Sequence, residues 1–273
     1  MDIDSVFGAG RPVVGMVHLP PLPGAPRYDR DGGREAVHEA ARRDATRLAR
    51  GGVDAVIVEN FGDAPFYPES VPTHTVAELT ALTRTVRDAS GLPTGVNVLR
   101  ADGPAAVAVA AAAGADFVRV NVHVGARVAD QGVLEGRAHE TMRLRERVDA
   151  DVRVLADVNV KHSAPLADAS DEAESVAEAT ERGLADGLVV TGQRTGRATP
   201  LDRVEAAVER RNALGLDTPV FVGSGVDAET VEELLDVAEG VIVGTALKQD
   251  GETDAPVSVD RVADLVAAAD RAR

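Results

Sequence analysis

In the stretch ADVNVKH, three polar residues, Asp157, Asn159 and Lys161, alternate with Val158 and Val160. Successive side chains of an extended chain point to opposite faces, so the polar trio shares one face and the valines the other. Lysine occurs only at 161 and 248, with arginine supplying every other cation. A lysine kept at an inward strand position suits a proton donor, a general base or an imine-forming amine, roles that a permanently protonated arginine cannot fill. Asp157 is placed to tune it, and a purely structural Asp157–Lys161 ion pair is the competing reading. Lys248, after GTAL, reads as either a phosphate counter-charge or a solvated surface residue.

The same alternation recurs at 118–123, where Arg119, Asn121 and His123 share one face and Val118, Val120 and Val122 the other. Arg119 and Asn121 are expected to line a pocket. Glu59, Asn60, Asn97 and His18 end three further valine-rich runs, and with Asn159 they describe a polar pocket that orients hydroxyl or carbonyl groups. The segment TGQRTGRATP, from Thr191 and Gly192 to Pro200, carries Arg194 and Arg197 and reads as a loop that closes over an anion, or else as a solvated turn. Two glycine turns complete the set: Gly223-Ser224-Gly225 and Gly244-Thr245. Such turns leave backbone N–H groups uncovered beside a helix N-terminus, a ready place for a phosphate; plain tight turns are the alternative. Glu59, Asp157, His18 and His123 could instead supply mixed O/N ligands to a divalent metal, although no HxH or HExxH spacing is present.

The elements that must hold these residues repeat eight times as a valine-rich run, a loop and a longer Ala/Glu/Arg segment. That pattern predicts parallel βα units. The strand candidates are 12–17, 54–59, 94–98, 116–122, 152–160, 186–190, 219–222 and 240–243. Helix 73–89 opens on Thr73 as a cap, and Gly51-Gly52, Ala113-Gly114 and Arg182-Gly183 mark left-handed helix ends. Eight units close a barrel, so the fold is expected to be one α/β domain over residues 1–273, a parallel eight-stranded TIM barrel. An open doubly wound sheet would carry a glycine fingerprint after its first strand, where this chain has HLPPLPGAPRY. The stretches 18–32, 60–72 and 122–135 read as long loops at the strand C-terminal ends, the face where barrels build their sites.

Forty-five acids against 29 cations give a net charge of −16, which opposes nucleic-acid binding and suggests a surface adapted to a molar-salt cytoplasm. There is no cysteine, so no disulfide framework or thiolate site. MDIDSVFGAGRP has neither the cationic nor the apolar part of a secretory signal, and no apolar run reaches the roughly 20 residues of a membrane span. A cytoplasmic protein is expected, with a homo-oligomer left open.

Taken together, MVHLPPLPG from Met16, VENFGDAPFYP from Val58, VRVNVHVGA from Val118, ADVNVKHSAPL from Ala156, VTGQRTGRATP from Val190, VGSGVDAETV from Val222 and VGTALKQDG from Val243 resemble the BtpA/SgcQ family. The resemblance covers nearly the whole chain. It implies a phosphate-binding TIM barrel, an association with photosystem I accumulation in its photosynthetic branch, and relatives that look like sugar-metabolism proteins. The expectation is therefore an enzyme acting on a small phosphorylated metabolite, a sugar phosphate or a nucleotide-derived phosphate. Isomerase, lyase and glycosidic-bond-cleaving chemistry all fit. No cofactor is expected beyond a divalent metal that stays open. A non-enzymatic photosystem assembly factor and a metal-assisted hydrolase are the alternatives.

Overall fold

Valine-rich segments that bury both faces become parallel strands when helices cover them from outside. In the computed structural model, which describes residues 1–158, 163–166, 172–192 and 199–273, eight such strands close into a barrel. They are β1 (Val13–His18), β2 (Ala55–Glu59), β3 (Thr94–Asn97), β4 (Phe117–Val120), β7 (Arg153–Val158), β9 (Gly187–Thr191), β10 (Val220–Gly223) and β11 (Gly240–Val243). Around the barrel β1 pairs with β11 and β2, and every neighbouring pair is parallel. Helices α2 (Gly33–Gly51), α3 (Thr73–Ser90), α4 (Gly103–Ala113), α5 (Ala138–Arg147), α6 (Glu172–Ala177), α7 (Leu201–Ala213), α8 (Val231–Val237) and α9 (Val259–Ala269) alternate with the strands along the chain.

Strand alternation divides the apolar core in two. Val13, Val17, Val56, Val58, Val96, Val118, Val154, Val190, Val220 and Val241 face outward and pack with helix residues such as Leu48, Leu79, Leu82 and Leu265. Val14, Met16, Ile57, Phe117, Leu155, Val189, Phe221 and Ile242 fill the lower barrel. A short helix absent from the sequence-based expectations, α1 (Ile3–Phe7), closes that end by setting Phe7 against Phe117 and Phe221, with ring centroids 5.2 and 5.6 Å away. Gly95 and Gly240 make room for these rings, because a Cβ at either position would collide with Phe117 or Phe221.

Acidic residues just ahead of alternate strands register the barrel. Asp54 accepts from Val13 N at 2.7 Å, and Asp116 from Thr94 N, Asp186 from Val154 N and Glu239 from Val220 N, each at 2.8 Å. Each ties an N–H in the first two residues of one strand to the approach of the next. An otherwise unpaired donor at the barrel floor is thereby satisfied.

Several expectations are corrected. Thr73 lies inside α3, whose cap position is Pro72, with no side-chain cap bond. Gly52 and Gly114 are left-handed, at φ 94° and 76°, but Gly183 is not, at φ −81°. Leu184 takes the positive φ instead. Gly183 is small for a different reason: a Cβ there would sit 2.7 Å from Ala179 O and 3.0 Å from His123 Cδ2. The stretch 122–135 is not all loop. It forms the hairpin β5 (Ala126–Ala129) and β6 (Gly132–Glu135), and β8 (Ser163–Pro165) joins it to make a three-stranded antiparallel sheet. Among the described residues no helix is long and apolar enough to cross a membrane.

Candidate functional site

The inward positions turn polar toward the C-terminal end of the barrel. Register places His18 beside Glu59, Glu59 beside Asn97, and Asn97 beside Arg119. Arg119 meets Asp157 as a bidentate pair, Nε to Oδ1 at 2.7 Å and Nη2 to Oδ2 at 2.8 Å, with side chains 2% and 0% exposed. Burial works against the Arg119 charge, but Asp157, with help from Glu59, more than offsets it, so the guanidinium is held above its ordinary pKa.

Asp157 also orients the amides beside it. Asp157 Oδ2 accepts a hydrogen bond from Asn121 Nδ2 at 3.0 Å, which turns Asn121 Oδ1 toward Asn97 Nδ2 at 3.1 Å. Asn97 Nδ2 donates in addition to Arg119 O at 2.9 Å. These bonds fix both amide orientations and leave Asn97 Oδ1 as a fully buried acceptor with no donor among the described residues. On the opposite side, His18 Nε2 lies 3.8 Å from Glu59 Oε1, and the His18 ring packs on Phe61 at 4.8 Å. A base and a carboxylate at this separation can exchange a proton through a small relay or through a bound group.

The glycine corner adjoins this layer. Gly223 ends β10, and Ser224 and Gly225 both take positive φ, 76° and 67°. Thr199 Oγ1 donates to the carbonyls of Gly223 and Ser224, at 3.1 and 3.0 Å. In a trans peptide N–H points opposite to C=O, so this clamp turns the amides of Ser224 and Gly225 away from Thr199. By sequence Thr199 is only a member of a loop; a hydroxyl just before Pro200 and α7 is its sole signal. The glycines also serve packing. A Cβ at Gly223 would meet Val189 at 3.0 Å and Thr191 at 3.3 Å, and one at Gly244 would meet His18 Cε1 at 2.9 Å.

A cavity of about 250 Å³ joins the two regions. It is lined by His18 and Arg119 at one end and by Ser224, Gly225, Gly244, Thr245 and Arg261 at the other. Arg261, in the first turn of α9, is a cation that no sequence pattern singles out. The helix N-termini expected beside the glycine turns take another form. Asp227 Oδ1 accepts from Glu229 N, Thr230 N and Thr230 Oγ1, at 3.0 Å each, so the start of α8 is capped by its own chain. After Gly244 the chain makes a single 3-10 turn, Thr245–Leu247.

Thr191 and Gly192, also expected in the pocket, are buried at the end of β9. Asn60 accepts from Leu99 N at 2.7 Å and donates to Asp63 Oδ2 at 3.2 Å, pinning the loop after β2 to the loop after β3. His123 departs from the face of Arg119 and Asn121: its Nε2 bonds to Gly183 O at 2.8 Å, and burial lowers its pKa. Lys248 is not exposed, and although its backbone N–H bonds Thr245 O at 3.1 Å, its side chain turns to α2 rather than into the corner. Its Nζ bonds Asp44 Oδ2 at 2.8 Å with 1% of the side chain exposed, and burial lowers its pKa. Lys161, Asn159, Arg194 and Arg197 lie outside the described residues. Among the described residues no three His, Asp or Glu side chains gather closely enough to hold a metal ion. Of the four candidate ligands, His123 has turned away and Asp157 is bonded to Arg119 and Asn121.

Fold and site together define a (β/α)8 barrel with a polar pocket at the C-terminal ends of its strands. The BtpA family model matches residues 9–271, and the chain belongs to that family. It is 46% identical over 256 residues to an uncharacterized protein of Thermococcus kodakarensis, covering 94% of each chain. It is 41% identical over 268 residues to the photosystem I biogenesis protein BtpA of Synechocystis, covering 98% of this chain and 91% of that one. Among solved structures it resembles tryptophan synthase of Mycobacterium tuberculosis, with TM-score 0.61, 21% identity and coverage of 98% and 96%. It also resembles 3-hexulose-6-phosphate synthase of Salmonella typhimurium, with TM-score 0.58, 14% identity and coverage of 96% and 100%. At these identities the two structures speak for the fold alone.

Proposed function

We propose that this chain is an enzyme acting on a small phosphorylated metabolite, a sugar phosphate or a nucleotide-derived phosphate. One observation carries the reading: a single cavity runs from the glycine corner to His18 and Arg119. A phosphate at Ser224, Gly225, Gly244 and Thr245 would leave the rest of the molecule over the polar layer, in the quarter of a barrel where phosphates commonly sit. There Arg119 polarises an oxygen, and His18 with Glu59 moves a proton. Lys161 supplies the amine for acid–base or imine chemistry, as the alternation of its strand suggests. Asp157 serves chiefly to hold Arg119 rather than to tune Lys161. Isomerisation, carbon–carbon lyase chemistry and glycosidic-bond cleavage all draw on such a set.

Orthophosphate titration tests the corner directly. The melting temperature should rise with orthophosphate, as it does for any ligand of the native state. Thr199→Val, which removes the clamp on the Gly223 and Ser224 carbonyls, should weaken that response about fivefold, by the roughly 1 kcal/mol of a lost hydrogen bond. An unchanged melting curve in millimolar orthophosphate would refute the phosphate site. On an identified substrate, undiminished turnover in Lys161→Met would remove lysine from the mechanism.

A further inference from the structure

The corner end of the cavity is not served by the open helix N-terminus that its glycine turns suggest. Asp227 Oδ1 takes the Glu229 N, Thr230 N and Thr230 Oγ1 donors ahead of α8, and a single 3-10 turn follows Gly244. Backbone amides can bond a phosphate there, but they carry only partial charge. A full positive charge has to come from a side chain, and Asp227, itself on the cavity wall, adds to what that charge must offset.

Arg261 meets this need. It lines the corner end, whereas Arg119 at the other end is already bonded twice to Asp157. Arg261 Nη1 lies 3.4 Å from Ala246 O, which draws the side chain back over the 3-10 turn. Among the described residues no carboxylate pairs with Arg261, and its Nε and Nη2 have no bonding partner. That edge of a guanidinium carries two parallel N–H groups, the shape that grips two oxygens of a phosphate.

The position also runs against local helix chemistry. Arg261 is the third residue of α9, and its N–H is bonded by the cap, Ser258 Oγ, at 3.5 Å. A capping box carries Glu or Gln at that position, and the positive pole of the helix disfavours a cation. In a chain of 45 acids and 29 cations, an arginine that stands there against both preferences, and without an ion pair, serves something outside the helix.

We infer that Arg261 is a phosphate-binding residue that makes the corner select phosphomonoesters over phosphodiesters. This rests on the phosphate reading of the corner and names the class of ligand it takes. A monoester phosphate carries close to two negative charges at neutral pH and three strong acceptor oxygens. It can bond the corner backbone and still offer two oxygens to the Nε–Nη2 edge. A diester has one charge and one fewer such oxygen, so it gives up contacts on one side or the other.

The matched probes are methyl phosphate and dimethyl phosphate, which differ by a methyl group in place of one charge, with orthophosphate as the reference. Calorimetric titration at about pH 8, where the monoester is fully ionised, should give methyl phosphate at least about tenfold tighter binding than dimethyl phosphate, the worth of a hydrogen bond between charged groups. In Arg261→Gln that ratio should fall to within about threefold, through weaker binding of methyl phosphate and orthophosphate, since the glutamine loses both the charge and the fork. Equal wild-type affinity for the two esters overturns the inference, as does a ratio unchanged by Arg261→Gln. If Arg261→Gln does not fold, the wild-type ratio decides through its salt dependence: Arg261 is exposed, so the ratio should narrow between about 0.1 and 1 M KCl, and a ratio indifferent to salt overturns the inference. If orthophosphate binds wild type and Arg261→Gln alike, the corner reading survives and the inference about Arg261 falls. If orthophosphate does not bind wild type, the corner reading fails and the inference fails with it.

Discussion

Asp157→Asn should destabilise the protein out of proportion to the single charge it removes. The carboxylate makes two bonds to a guanidinium that is 2% exposed, and the neutral amide would leave Arg119 a buried cation without its counter-ion. Breaking one side of such a pair costs about 3–5 kcal/mol. Arginine cannot relieve the loss by releasing its proton, as a lysine would. At about 2.1 cal/mol/K per residue, a 273-residue chain has an unfolding entropy of about 0.6 kcal/mol/K, so the melting temperature should drop by about 5–9 °C. Arg119→Met combined with Asp157→Leu removes both charges together and should recover most of the loss, giving a coupling of at least about 2 kcal/mol. Urea unfolding of wild type, Arg119→Met, Asp157→Leu and the double variant measures the cycle, with Asp157→Asn read alongside. Raising KCl should change the coupling little, because a pair buried this deeply is weakly screened. A loss below about 1 kcal/mol for Asp157→Asn, or strictly additive effects, would refute the claim that this pair is the fixed electrostatic centre of the barrel mouth.

Lys248→Met should cost up to about 3 kcal/mol by taking the buried ammonium from Asp44, which keeps only Arg43 and Val257 N, while orthophosphate affinity stays unchanged because the pair lies between α2 and the segment after β11. His123, whose pKa burial lowers in the native state, stays neutral while the unfolded chain takes up a proton below about pH 6.5. Stability from this residue is therefore present above that pH and lost as pH falls toward the lower native value, so the drop in urea midpoint between pH 7.5 and 5.5 should shrink in His123→Gln. With 45 acids against 29 cations, thermal stability should rise between 0.1 and 2 M KCl as self-repulsion is screened; a maximum at low salt would contradict the salt-adapted reading of the surface.

The barrel is legible in the sequence because it rests on local signals. Valine-rich runs, each followed by a loop and an Ala/Glu/Arg segment, recur eight times, and strand period alone places Arg119, Asn121 and Asp157 on the inner face. Parity serves less well past the end of β4, where regular pairing stops. His123, which parity assigns to the pocket face, turns to Gly183 instead. Nor can local pattern foresee the β5–β6 hairpin or the plug of α1, whose apolar residues are too few to show a period.

Partnership lies beyond the sequence. Asp157 pairs by sequence with Lys161, four residues on, because sequence displays near neighbours. In the closed barrel it holds Arg119, 38 residues away on the adjoining strand, a partner that local spacing does not display; Lys161 lies outside the described residues. Lys248 reads as exposed or phosphate-facing, yet it is buried on Asp44, 204 residues away. The glycines show the same division. Sequence announces a turn with open amides at Gly223 and Gly244, while the neighbours that a side chain would strike, Val189 and Thr191 for one and His18 for the other, exist only once β9, β10, β11 and β1 lie side by side. Alternation and turn chemistry are properties of a few consecutive residues and can be read in the chain; which charge meets which, and where space runs out, depends on barrel closure, which brings distant segments into contact.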